Sequence, residues 1–252
     1  MVMSKAEWRR KRRRQKMIKK YVALGFFAAI VILVLILIVK VVTLIFRDSD
    51  KGILTKAGNV PVKQSLIAVS DYSRPGLKLD SVEEIVIHSN NTIGKTAQEQ
   101  RDYYDSLKLK KSDAERQSMH FIVDLDGKIY QCIPTNEIAL AGNPFKSIAI
   151  EFCITGADGS MSADTYVSLC KLVAALCDKY DLSEKKVVRH YDHNKVSCPR
   201  FFVNEDNWNQ FKKDIKTVRN KKSISVTDAP IHNVIEPKGE KEEGNDSDTE
   251  EP

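Results

Sequence analysis

Glu84-Ile85-Val86-Ile87-His88 sets three consecutive β-branched apolar residues between a carboxylate and an imidazole. A short apolar run of this kind reads as a buried strand, here one that ends in a histidine. The segments downstream alternate in type. Ala97 to Leu107 has helical character. Met119-His120-Phe121-Ile122-Val123 and Lys128-Ile129-Tyr130-Gln131-Cys132-Ile133 read as two strands. Asp126-Gly127 between them predicts a tight hairpin, because glycine readily takes the positive φ that such turns need. In Ser147 to Ile154, Ile148, Ile150 and Phe152 alternate with smaller or polar residues, a further strand. Ser162 is the expected N-cap of a helix running to about Tyr180, with apolar residues at three- and four-residue spacing. Val187-Val188-Arg189 is a short strand that runs into His190, and Asp206 to Val218 is a final helix anchored by Trp208 and Phe211. This order predicts an α/β domain over residues 71–218, long enough to bury a core.

Upstream, the chain changes character. Val22 to Val39 is 18 residues without a charge, a polar side chain or proline, and Val41 to Phe46 extends it beyond Lys40. At 1.5 Å per residue, a helix of about 18 to 25 residues spans roughly 27–37 Å, enough for the hydrocarbon core of a bilayer. The residues after Lys40 make a poor cleavage site, so an uncleaved transmembrane helix over 21–46 is expected rather than a signal peptide. The net charge of +6 is segregated: residues 1–20 hold ten Lys/Arg and one acid, a leader of +9, and the other 232 residues carry −3. The basic leader before an apolar span predicts a cytoplasmic N-terminus and a chain outside the cytoplasm from residue 47 onward. The folded part is not basic, which disfavours nucleic acid as a partner. Residues 47–70 read as a stalk. Residues 219–252, with nine acids and three prolines, read as an acidic disordered tail.

Three residues with affinity for metal fall where chemistry often sits. His88 and His190 each end a strand, and Cys198 follows eight residues after His190. Imidazole and thiolate suit Zn²⁺, and three protein ligands leave a fourth position open. No short Cys-x-x-Cys or His-x-x-x-His pair fixes the site, so spacing alone also permits an ordinary strand-end histidine and a small buried cysteine.

The ordered string of segments is more specific than any one of them. Asp71-Tyr72-Ser73-Arg74-Pro75-Gly76-Leu77-Lys78-Leu79 and Ile85-Val86-Ile87-His88 open it. Ser118-Met119-His120-Phe121-Ile122-Val123-Asp124, Ile129-Tyr130-Gln131-Cys132-Ile133-Pro134 and Ser147-Ile148-Ala149-Ile150-Glu151-Phe152-Cys153 continue it. Arg189-His190-Tyr191-Asp192 and Ser197-Cys198-Pro199 close it. Over residues 71–217 the chain resembles the zinc-dependent N-acetylmuramoyl-L-alanine amidases, the family of the phage T7-type lysozyme and the peptidoglycan recognition proteins. The resemblance implies a central mixed β-sheet flanked by helices, with zinc in a cleft. His88, His190 and Cys198 match the family's three zinc ligands. Glu151 matches the acidic residue that many members place beside the zinc-bound water. The implied reaction is hydrolysis of the amide between the lactyl group of N-acetylmuramic acid and L-alanine of the stem peptide. The implied partners are peptidoglycan and, through residues 21–46, the membrane. Glu151 would carry a proton to the departing amine, which leaves poorly unless protonated.

The chain departs from the family pattern at several positions. Many members carry a lysine two residues before the last ligand; here Val196 is there, and Lys195, one residue earlier, is the candidate for that role. A catalytic tyrosine position is matched by Met119, and a histidine position by Leu140. His193 is expected in a solvent-facing loop, His120 in a structural role, and the four cysteines other than Cys198 as buried thiols. A non-catalytic peptidoglycan-binding module of the same fold and an envelope scaffold working through the acidic tail are the rival readings.

Overall fold

In a computed structural model, residues 5–48, 51–110, 116–141 and 143–220 are described. The chain divides into a unit ending at Asp50 and a unit beginning at Lys51. The first is one helix, α1 (Lys5–Asp48). Within it Lys16–Val41 is long and apolar enough to cross a membrane. Its described apolar side chains from Tyr21 to Val41 are exposed, Phe26 by 73% and Leu33 by 66%.

The second unit is built on a seven-stranded mixed sheet. Its strands are β1 (Lys56–Ala57), β2 (Val60–Gln64), β3 (Glu84–Ser89), β4 (Phe121–Val123), β5 (Ile129–Gln131), β6 (Ser147–Phe152) and β7 (Val187–Arg189), in the order β1-β2-β5-β4-β6-β3-β7. The right half, β4-β6-β3-β7, is parallel, and β4 and β5 form the antiparallel hairpin expected at Asp126-Gly127. Gly127 has φ +76, as that turn requires.

Alternation along the strands divides the core in two. Ile85, Ile87, Phe121, Val123, Ile148, Ile150 and Phe152 face one side and pack against α3 (Ala163–Lys179) and α5 (Glu205–Arg219). Both helices start on their caps: the Ser162 hydroxyl accepts from Thr165 N–H, and Asn204 Oδ1 accepts from Asp206 and Asn207 N–H. The opposite face carries Ile122, Tyr130 and Ala149 and packs against α2 (Ala97–Ser106). A capping box fixes the start of α2, with Thr96 and Glu99 each satisfying the other's backbone N–H.

The expected stalk is different. Residues from Lys51 join the fold, because β2 runs parallel to β5 and β1 turns back on β2. Gln131 Nε2 and Thr135 N–H both donate to the Gly52 carbonyl, fastening the start of this segment. The strand was hidden by Pro61, which breaks strand patterns. Pro61 sits opposite Lys56 of the two-residue β1, near the margin of the sheet. Of the expected tail, only Arg219 and Asn220, which close α5, lie within the described residues; 221–252 lie outside them.

Candidate metal centre

The sheet register assembles the site. His88 on β3 is paired with Glu151 on β6, and Glu151 with Ile122 on β4. Paired residues share a face, so His88 and Glu151 point to the α2 side. The β3–β7 pairing matches Ile87 with Arg189, which brings the next residue, His190, level with His88. Two imidazoles thus stand at the ends of adjacent parallel strands, with ring centroids 4.7 Å apart. The loop after α4 (His190–Asn194) returns Cys198 to them, and its thiol lies 3.9 Å from His88 Nδ1. One ligand atom from each of His88, His190 and Cys198 lies within 4.8 Å of the others.

Arg189 and Asp192 hold this corner in place. The Arg189 guanidinium donates to both Asp192 carboxylate oxygens and to the Phe202 carbonyl, while Asp192 also accepts the Arg189 backbone N–H. The guanidinium lies over the Tyr191 and Trp208 rings, 5.2 and 5.3 Å from their centroids. These contacts fix the short α4, and with it His190.

The donor set fits a soft divalent cation. His88 is 4% exposed, yet its Nε2 has no hydrogen-bond partner. Burial, with His190 and His193 nearby, pushes the His88 imidazole down to about 3, so it stays in the neutral form that ligation requires. Burial and His193 also lower His190. Burial raises the Cys198 thiol, and a bound cation would offset this by stabilising the thiolate. The two imidazoles and the thiol are a zinc-type set of three with room for a fourth ligand.

Glu151 is 2% exposed. Its Oε2 accepts a hydrogen bond from the Tyr104 hydroxyl at 3.0 Å, and its Oε1 has no partner. Burial lifts the carboxyl to about 7, against the opposing pull of the Tyr104 hydroxyl and Lys95. A carboxyl in that range exchanges protons readily at neutral pH. Above these groups opens a cleft of about 750 Å³. His88, Glu151, His190 and Cys198 line it, together with Met119 and Leu140.

Other expectations fall elsewhere. Lys195 takes the left-handed C-cap of α4, with φ 62, and its ammonium lies 4.9 Å from the Tyr191 ring centroid. Val196 lines the cleft and Lys195 does not. His193 is within α4 rather than in a loop, with Nε2 3.4 Å from Glu84 Oε1, and is outside the ligand group. His120 is structural: its Nδ1 accepts the Ala149 N–H and its Nε2 lies 2.9 Å from the Glu137 carbonyl. Cys132, Cys153, Cys170 and Cys177 are free and buried. Sequence reasoning missed Tyr104 and, one helical turn before it on α2, the buried Gln100 that lines the cleft. Their four-residue spacing on one face of a helix that follows the His88 strand was the available signal.

The family model described as N-acetylmuramoyl-L-alanine amidase matches residues 78–201. The N-acetylmuramoyl-L-alanine amidase CwlL of Bacillus licheniformis is 33% identical over 187 residues, covering 67% of this chain and 50% of that protein. The N-acetylmuramoyl-L-alanine amidase BlyA of Bacillus subtilis strain 168 is 32% identical over 185 residues, with coverage of 64% and 48%. The chain spans about half the length of the curated relatives it matches. Among solved structures, a mutant endolysin from Bacillus subtilis matches with 30% identity and a TM-score of 0.50, over 62% of this chain and 99% of the endolysin chain. The catalytic domain of XlyA matches with 28% identity and a TM-score of 0.51 over the same shares.

Proposed function

The chain belongs to the N-acetylmuramoyl-L-alanine amidase family, and from that premise we propose that it is a membrane-anchored peptidoglycan hydrolase that cleaves the amide between N-acetylmuramic acid and L-alanine. The observation that carries this reading is the meeting of His88, His190 and Cys198 at one end of the sheet, with Glu151 in register beside His88. In this reading those three residues hold zinc. The ion would supply Lewis acidity and lower the pKa of water there to roughly 7.

Glu151 takes a proton from the attacking water and returns it to the leaving nitrogen. Its geometry supports that role. Tyr104 holds one oxygen and leaves the other without a partner, and the residue lines the cleft. Burial keeps the carboxyl near neutrality, so it both accepts and gives up the proton. Arg189 and Asp192 position His190. Lys195 is outside this scheme, since its ammonium rests on Tyr191 rather than in the cleft. Met119 and Leu140 give the cleft wall an apolar stretch.

The anchor is the apolar part of α1, and residues 51–220 form the hydrolase domain on the far side of the membrane. The test uses the zinc-loaded full-length protein in detergent with purified peptidoglycan, followed by mass analysis of the fragments. Amidase action releases peptides with a free N-terminal alanine and leaves intact glycan bearing lactyl carboxyls. Fragments cut within the glycan, or no release at all, would overturn the reading; binding without release would favour the peptidoglycan-binding module.

A further inference from the structure

A second cavity, about 270 Å³, adjoins the catalytic cleft. The two share Ser89, Asn90, Asn91 and Ser197 as a common wall, so an occupant of the second lies immediately beside the proposed scissile bond. Its walls are the loops that leave β3 and β6 and the turn after Cys198.

These walls are held in place. Asn90 Oδ1 accepts from Ile154 N–H and its Nδ2 donates to the Lys95 carbonyl, so both ends of the amide are fixed. Arg200 Nη1 donates to the Ala157 carbonyl at 2.8 Å. Gly159, at φ +83, lies so close that an added Cβ would stand 2.9 Å from Arg200 Cβ. The loop after β6 is therefore packed onto the base of the Arg200 side chain and holds one end of its guanidinium through the Ala157 carbonyl, while the residue remains exposed at the cavity wall. Arg200 is the one charged residue among those lining it; Ile93, Ile154 and Ala157 add apolar surface, Gly159 adds backbone, and the asparagines and serines add amide and hydroxyl groups. A wall with one cation, no carboxylate and an aliphatic patch selects a short aliphatic group ending in an anion. Arginine suits a carboxylate through paired N–H donors.

We propose that this cavity is a specificity subsite for a free carboxylate of the stem peptide, on the residue that follows the alanine released by hydrolysis, with Arg200 as its partner. This rests on the amidase reading above and names what that site prefers. The test compares two muramoyl peptides that differ only in that residue, a glutamate with a free α-carboxylate or the same residue as its α-amide. Hydrolysis and calorimetric binding are measured with zinc-loaded full-length protein. One charge-assisted contact to an exposed arginine predicts a preference of at most about tenfold for the acid.

Arg200→Gln is expected to raise KM for the acid by that factor, to the value for the amide, with kcat for both within about twofold. Arg200→Lys keeps the charge and loses the paired geometry, so it retains part of the preference and separates recognition from loss of fold. A wild-type protein that binds both peptides equally, or an Arg200→Gln variant that keeps the preference, would overturn the subsite. A protein that binds the acid in preference but hydrolyses neither peptide would retain the subsite and overturn the amidase reading instead.

Discussion

Glu151 is costly to bury. A carboxyl 2% exposed with one oxygen lacking a hydrogen-bond partner destabilises the fold, and the Tyr104 hydroxyl and Lys95 offset only part of that cost. That cost is consistent with a group kept for proton transfer. Glu151→Gln keeps the shape and removes the proton site; turnover should fall on the order of 10²–10⁴-fold while zinc content and substrate affinity stay close to wild type. Loss of zinc in that variant would make Glu151 a ligand or a structural support. Tyr104→Phe removes the hydroxyl that holds Oε2 and should lower turnover less, with no further loss when combined with Glu151→Gln. The metal set makes a separate prediction. Cys198→Ser should lower zinc occupancy strongly, since a neutral hydroxyl is a far poorer ligand than thiolate, whereas His193→Ala should keep the metal. Zinc analysis of the purified variants decides, and the reverse pattern would replace Cys198 by His193 in the set. His88 and His190 were legible as candidates because each stands at the end of a readable strand, whereas their grouping with Cys198 as a ligand set came from the family resemblance and not from spacing. Tyr104 was not, because its role depends on how a helix docks across the sheet, which no local pattern encodes.

At the level of elements, most strands and helices were readable because their apolar period matched their burial. β3, β6, α3 and α5 lie within a residue or two of expectation. The strands at 56–64 were not readable, since a proline and a two-residue partner leave no period to detect. α4 was hidden for a different reason: its five residues have too short a pattern, and the Arg189–Asp192 lock stabilises it instead. Asp192→Ala should therefore cost about 1–3 kcal/mol and weaken zinc binding through His190. Asp178→Ala removes an exposed partner of Arg219 and should cost under about 1 kcal/mol with zinc binding unchanged. Thermal melts and zinc titrations of the two variants measure this difference, and equal effects would deny α4 its positioning role. The junction of β4 and β6 adds a pH dependence. Burial lowers the His120 imidazole to about 4, against 6.5 for the ordinary group. As pH falls below 6.5 the unfolded chain takes up the proton and the folded one does not. The stability held in full above 6.5 is therefore lost between 6.5 and 4, by about 3 kcal/mol. Urea unfolding of metal-free protein at pH 7.5 and 4.5 reads this share as the difference between wild type and His120→Gln, because buried His88 also loses stability and buried Glu151 gains it over the same interval. His120→Gln, which does not titrate, should lose less over the same interval, and an unchanged loss would remove His120 as the source.

At the scale of the whole molecule, charge and apolarity are segregated along the chain, and that segregation predicts topology. Ten Lys/Arg and one acid precede an apolar run whose described side chains are exposed. The residues after the run, Arg47-Asp48-Ser49-Asp50-Lys51, nearly cancel in charge. Moving the leader across a bilayer would strand ten Lys/Arg on the wrong side, whereas the far flank has two to hold back, Arg47 and Lys51. The N-terminus should therefore stay in the cytoplasm and the unit from Lys51 should emerge outside, where the proposed hydrolase would meet peptidoglycan. Alkaline phosphatase fused after Asn220 should be active in cells and a fluorescent protein that matures only in the cytoplasm should be dark at the same position. Replacing the leader's arginines and lysines with glutamine should make the orientation mixed, because the span keeps its length and loses its bias. A bright cytoplasmic reporter after Asn220 in the native sequence would reverse the topology and separate the hydrolase site from the wall.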